Sequence, residues 1–229
     1  MNYYLGGYYL VKQNDFSHWK GVKPKPTWTI SNCINDVHPD EWAFDWVETS
    51  VERKLEVQKT LAITDDQYQE IQRWVSQKDT EDKFGWPNLF RDREAARQFA
   101  SQYLFHLTGI KLLGIYLPEY LFADFIADIQ PANNYPGTGI YQQLNQKVLE
   151  DGSGEVLGFD ILGIEYSGDF HCFLCNCLEK AYQDQFELTF NSNGLIDSLE
   201  DAQQVLDYTN AEETGAEPVP WAIWKVKEF

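Results

Sequence analysis

The sequence predicts an α+β protein, with a mixed or antiparallel sheet and packed helices. Aliphatic and aromatic runs typical of strands interleave with capped, amphipathic segments typical of helices, and no strict βα rhythm orders them. A chain of 229 residues that is 43% hydrophobic and 15% aromatic can also bury a sizeable core. We expect a single α+β domain over residues 1–229, either one compact unit or two intimately packed halves, with any seam in the loop 130–139.

The first half of the chain carries the clearest local signals. YYLGGYYLVK at 3–12 predicts a strand with a bulge at its glycine pair. The TDDQ of 64–67 is a capping box that predicts a helix to about Gln77. FGWPN at 84–88 predicts a turn, and Asp92 is placed to start a second helix.

The second half is predicted to alternate strands and helices. The predicted elements are a buried strand at 110–117, a helix at 119–129, a strand at 156–166, a helix at 167–183, a short helix capped by Asp197 with Glu200 and ending near Tyr208, and a strand at 220–229.

Charge is the strongest global signal, because the net charge is −18 and it is unevenly placed. Residues 1–27 hold four lysines against Asp15, a balance of +3, whereas residues 148–224 hold 16 Asp or Glu against Lys180, a balance of −15. Such a region repels phosphate, so we expect no binding of nucleic acid or of an anionic membrane through it. A basic protein partner remains, and the alternative is that the charge only keeps the protein soluble.

The expected binding surface lies on the last predicted helix and the loop that follows it. Its candidate partner-binding carboxylates are Asp197, Glu200, Asp201, Asp207, Glu212, Glu213 and Glu217. Positions 200 and 207 are seven apart and share one helical face, while Ala202 and Val205 take the opposite face.

Three of the four cysteines crowd into GDFHCFLCNCLE at 168–179, which allows three interpretations. On a helix they are mainly structural thiols in or beside the core, the interpretation we favour. Cys172 and Cys175 also form a C-x-x-C near a helix start, the context of a thiol oxidoreductase, although the acidic neighbours oppose a reactive thiolate. A zinc site joining this pair to Cys33 and His38 needs segments that nothing brings together, so the sequence predicts no metal and no cofactor.

No motif names a reaction, and this favours a protein without enzymatic activity. The glycines of DGSGEVLG at 151–158 have the wrong spacing for a nucleotide loop, and G-x-S-x-G, H-E-x-x-H and P-loop motifs are absent. The N-terminus lacks the basic region of a secretory signal, and no apolar run reaches membrane-spanning length. A cytoplasmic protein with reduced thiols is therefore expected.

Five segments together resemble an uncharacterised bacterial family: YYLGGYYLV at 3–11, GEVLGFDILGIEY at 154–166, FHCFLCNCLE at 170–179, FNSNGLI at 190–196 and EPVPWAIW at 217–224. The patterns are G-x-x-L-G-x-x-x-L-G, F-H-x-x-L-C-N-x-L-E and E-P-x-x-W-x-x-W, within a resemblance that covers mainly residues 154–226. That family is similar to the acidic, cytoplasmic immunity proteins of bacterial toxin systems. The resemblance implies a role in neutralising a basic toxin, and it supplies no catalytic residue.

Overall fold

A computed structural model describes residues 1–12, 28–31, 51–85, 89–132, 135–173, 189–211 and 214–229. Within these residues six helices pack against a seven-stranded antiparallel sheet, which confirms the α+β class. The strands are β1 (Tyr3–Lys12), β2 (Phe84–Gly85), β3 (Leu89–Phe90), β4 (Ile110–Pro118), β5 (Glu155–Ile164), β6 (Phe170–Cys172) and β7 (Trp221–Glu228). The helices are α1 (Val51–Leu61), α2 (Asp65–Thr80), α3 (Arg93–Tyr103), α4 (Phe122–Asp128), α5 (Gly139–Asn145) and α6 (Leu199–Thr209), and a 3₁₀ turn (Glu119–Leu121) precedes α4.

The sheet has the strand order β2-β3-β1-β4-β7-β5-β6, and each neighbouring pair is antiparallel. The strand that ends the chain, β7, lies between β4 and β5. It thereby joins the sheet of the first half of the chain to the β5–β6 hairpin of the second half.

The predicted bulge in β1 is confirmed, and its cause is a close approach. The pairing of β1 with β4 shifts register between Leu5 and Gly7, which leaves Gly6 as the extra residue. A Cβ on Gly6 would lie 2.6 Å from the ring of Trp224 on β7. Glycine at this position therefore lets the core tryptophan pack directly against the strand.

Two helix starts follow the predicted capping. Thr64 Oγ1 accepts from the Gln67 backbone N–H, and the Gln67 side chain accepts from the Thr64 N–H, so the capping box of α2 is complete. The Asp92 carboxylate accepts from the Ala95 N–H at 2.8 Å and begins α3.

Three local predictions are wrong in part. Phe84 and Gly85 of the expected turn form β2, which pairs with β3, and residues 86–88 lie outside the described residues. The helix expected at 167–183 does not include residues 170–172, because the chain reverses at 165–169 and pairs them with β5 as β6. Ser198 caps α6 in place of Asp197: its hydroxyl accepts from the Asp201 N–H at 3.0 Å, while the Asp197 carboxylate accepts from Asn191.

The apolar side chains form two cores, one for each set of helices. Helices α1, α2 and α3 pack with the first strands around Tyr68, Trp74 and Phe99. Helices α4, α5 and α6 pack with β4, β5 and β7 in a second core that contains Trp221 and Trp224. Trp221 and Trp224 are 7% and 0% exposed, so both pack in this core. None of the helices in the described ranges is long and apolar enough to cross a membrane.

Glu150 binds two lysines of the central strand β7. Its carboxylate accepts from Lys225 Nζ and from Lys227 Nζ, each at 2.7 Å, and the Lys227 side chain is only 2% exposed. Backbone hydrogen bonds of residues 148 and 150 to β1 hold this carboxylate in place. Burial acts to raise the pKa of Glu150, but the hydrogen bonds and positive charges of the two lysines outweigh it and lower the pKa below its ordinary 4.5.

We predict that Glu150→Gln destabilises the fold by about 2–3 kcal/mol, because it leaves the buried Lys227 ammonium without a carboxylate. Urea unfolding measures the loss. Glu155→Gln, an exposed acid five residues away, is the matched control and is expected to change stability by less than about 0.5 kcal/mol. Equal effects of the two substitutions would contradict this account of Glu150.

The contribution of Glu150 to stability depends on pH, and the sign of this dependence follows from its lowered pKa. The pKa of Glu150 is lower in the folded than in the unfolded chain, so the carboxylate stabilises the fold above pH 4.5 and this stabilisation is lost as the pH falls. The difference in unfolding free energy between the wild-type protein and Glu150→Gln should therefore shrink below pH 4.5. A difference that stays constant or grows on acidification would show that the lysines do not lower this pKa.

Candidate binding groove

A groove of about 720 Å³ opens where three segments meet. Its walls come from the end of α4 and the residues that follow it (128–132 and 135–138), from the β5–β6 turn (164–167), and from the segment before β7 (218–220). All three segments are anchored to the second core, since α4, β5 and β7 all contribute to it.

The walls are stiff because the sequence fixes their backbones. Pro131, Pro218 and Pro220 line the groove, and each proline ring locks its own φ angle. The segment before β7 is also held by two hydrogen bonds, from Trp221 Nε1 to the Glu217 carbonyl (2.9 Å) and from the Ile164 N–H to the Pro220 carbonyl (3.1 Å). These prolines and hydrogen bonds restrict the backbone of the groove walls.

The lining combines apolar surface, two aromatic rings and two carboxylates. Ile129, Val219 and the prolines supply the apolar surface. Tyr135 and Tyr166 line the same groove and are 74% and 89% exposed, so their rings are available to a ligand. Asp128 and Glu165, both exposed, give the groove a negative charge.

A histidine between two carboxylates lies beside the groove, and we name Glu165, His171 and Glu217 the His171 cluster. His171 Nε2 lies 2.6 Å from Glu165 Oε1, and Nδ1 lies 2.6 Å from Glu217 Oε2. The His171 side chain is 8% exposed, whereas both glutamate side chains are 46% exposed. A histidine can contact a carboxylate oxygen through each of its two ring nitrogens, so His171 links the β5–β6 turn to the segment before β7.

The turn that presents Glu165 is set by its own sequence, EYSGD. The Gly168 N–H donates to the Glu165 carbonyl, the Glu165 N–H donates to the Asp169 carbonyl, and Gly168 adopts φ +96°. This left-handed conformation suits glycine. The Ser167 hydroxyl lies 3.3 Å from the Glu165 carboxylate and 2.8 Å from the Asp169 carboxylate, so it connects the two acids of the turn.

The predicted partner-binding carboxylates fall into two groups. Asp197, Glu200 and Asp207 are exposed on or next to α6, and Asp201 is half-buried against the Ser198 cap. Glu217 belongs to the His171 cluster instead. The remaining two, Glu212 and Glu213, lie outside the described residues.

The exposed side of α6 borders a second, shallow hollow of about 640 Å³ that Glu200 lines together with Tyr120. The Tyr120 hydroxyl donates to Gln203 at 2.6 Å. Burial, with the nearby Tyr3 and Asp207, raises the pKa of Tyr120. Two acids of α6, Glu200 and Asp207, thus lie near Tyr120, which is 46% exposed.

Cys172, the first cysteine of the C-x-x-C pair, is buried. The residue is 0% exposed and ends β6, so its thiol lies in the core and not at the surface, where a reactive thiol is expected. Cys175 and Cys177, and also Cys33 and His38 of the alternative zinc site, lie outside the described residues.

Sequence patterns missed the groove and its histidine cluster. The signals present in the sequence are its proline-rich runs QPANNYPG and EPVPW, which indicate loops but not that the two loops meet. The link between His171 and Glu217 joins positions 46 apart, which no local pattern predicts.

Comparisons with known proteins leave the site to be interpreted from its geometry, because no family model, no curated protein and no solved structure matches this chain.

We predict that Cys172 does not react with iodoacetamide in the native protein, because its side chain is fully buried. Mass spectrometry of the digested protein assigns the label to each cysteine, and the same reaction in guanidinium chloride provides the control in which Cys172 reacts fully. Rapid native labelling of Cys172 near neutral pH would contradict the buried position and would favour the redox hypothesis.

Proposed function

We propose that this chain is a non-enzymatic binding protein that holds a basic protein partner, and that its role is immunity to a bacterial toxin. The observation that carries the proposal is the groove. It presents the exposed rings of Tyr135 and Tyr166 beside the carboxylates of Asp128 and Glu165, in walls with a restricted backbone.

The composition of the groove suits a cationic side chain of a partner. Arginine stacks on tyrosine rings and pairs with carboxylates, and tyrosine is among the residues that dominate binding energy at interfaces. Apolar walls around such a contact exclude water, which strengthens the charge pairing. Walls with a restricted backbone also reduce the entropy lost on binding.

The charge distribution supports the choice of a basic partner. The balance of −15 over residues 148–224 gives a long-range attraction to a positively charged protein. Glu200 and Asp207 on α6 are exposed and contribute to this field outside the groove. Such charges mainly raise the association rate, whereas groove contacts mainly lower the dissociation rate.

The immunity role rests on the family resemblance of residues 154–226 and on the acidic charge. A protein that neutralises a toxin in the bacterial cytoplasm needs no reaction of its own, which agrees with the lack of a recognisable catalytic motif in the sequence. The alternative of a thiol oxidoreductase draws no support from the buried position of Cys172.

The direct test uses the basic proteins encoded by the neighbouring genes. Each is purified and its binding to this protein is measured by biolayer interferometry, and each is also expressed with and without this protein in a growth assay. The proposal predicts that one of them forms a one-to-one complex and loses its toxicity on co-expression. If no neighbouring basic protein binds or is neutralised, the immunity role is wrong.

We predict that groove and helix substitutions separate kinetically in that complex. Tyr166→Ala and Tyr135→Ala should each cost about 2 kcal/mol, about thirtyfold in Kd, through faster dissociation. Glu200→Gln combined with Asp207→Asn should slow association and flatten its salt dependence while leaving dissociation nearly unchanged.

Each substitution has a matched control outside the groove. Phe105→Ala removes an exposed aromatic ring that does not line the groove, and Glu52→Gln removes an exposed carboxylate on α1. Both control variants should bind like the wild-type protein. If Phe105→Ala weakens binding as much as Tyr166→Ala does, the groove is not the interface.

A further inference from the structure

We propose that the His171 cluster binds a divalent transition-metal ion of the zinc class beside the groove. Glu165, His171 and Glu217 can each offer one ligand atom, and these atoms lie within 4.8 Å of one another. Imidazole nitrogen and carboxylate oxygen are ligands that zinc accepts. The proposal is independent of the cysteines, and it departs from the absence of metal that the sequence predicted.

The cluster must rearrange to hold an ion with all three groups. Glu165 contacts Nε2 and Glu217 contacts Nδ1, and an ion binds one of these nitrogens, so the carboxylate on the other nitrogen must turn towards the ion to become a ligand. Zinc bonds to nitrogen and oxygen of about 2.0–2.2 Å place ligand atoms about 3.4 Å apart, so the two 2.6 Å hydrogen bonds must adjust. His171 is buried and fixed, whereas Glu165 and Glu217 are half-exposed and have room to move. The fixed ligand is thus the histidine, and the adjustable ligands are the carboxylates.

Charge favours a divalent cation at this cluster. Glu165 and Glu217 place two carboxylates beside one imidazole, and a divalent cation offsets their two negative charges. The ring nitrogen that takes the ion is unprotonated in the metal-bound state.

The position of the cluster gives an ion access to solvent. Glu165 lies in the groove wall, so an ion bound beside it can complete its coordination with water. If the ion takes Nε2 and Glu165, Glu217 retains its contact with Nδ1, the carboxylate–histidine–metal arrangement that orients a ligating imidazole. Glu217 therefore supports the site either as a ligand or as the partner of the second ring nitrogen.

The test is a cobalt(II) titration of protein freed of metal with EDTA and dialysed. Cobalt(II) substitutes for zinc, and its visible spectrum reports its ligands. We expect one equivalent to bind with d–d absorption and without a sulfur-to-cobalt charge-transfer band, and we expect added zinc to displace it. Glu165→Gln and Glu217→Gln should each weaken binding by about tenfold or more.

Glu155→Gln is the control, because this exposed acid lies roughly 30 Å from Glu165 along β5 and should leave cobalt binding unchanged. Both cluster variants keep His171, and the circular dichroism spectrum of each variant shows whether it has folded. The proposal is overturned if the wild-type protein binds cobalt no more tightly than Glu217→Gln does. It is equally overturned if a thiolate charge-transfer band accompanies binding, because cysteines would then hold the ion.

Discussion

The structure depends on the insertion of the last strand, β7, between β4 and β5. Its backbone hydrogen bonds on one side complete the sheet begun by β1, and those on the other side carry the β5–β6 hairpin. Trp224 is fully buried on this strand. Its ring packs edge to face against Phe125 of α4 and Phe170 of β6, with ring centroids 5.4 and 5.9 Å apart. One strand thus positions all three segments that meet at the groove.

The groove is consequently a product of long-range packing and not of one loop. One wall continues from α4, one is the turn between β5 and β6, and one leads into β7. The His171 cluster adds a polar link between the last two walls, where hydrophobic packing gives way to solvent. A site of this kind keeps its shape as long as β7 stays paired, and it presents its tyrosines and carboxylates from rigid supports.

Sequence patterns predicted the elements whose causes are local. The capping box at Thr64, the cap at Asp92 and the glycine bulge of β1 all depend on residues a few positions apart. The same reasoning mistook residues 170–172 for helix, because helical spacing does not reveal that Gly168 turns the chain back onto β5. Local sequence patterns predict neither the strand order nor the contact between His171 and Glu217. Both depend on the insertion of β7 between β4 and β5.

The central functional claim is that the groove receives the partner, and hydrogen–deuterium exchange of the complex tests it most directly. Peptides covering 128–138, 164–168 and 217–221 should exchange more slowly in the complex than in the free protein, with peptides of α1 to α3 unchanged. Protection confined to the face covered by α1, α2 and α3, with the groove segments exchanging as in the free protein, would contradict the account.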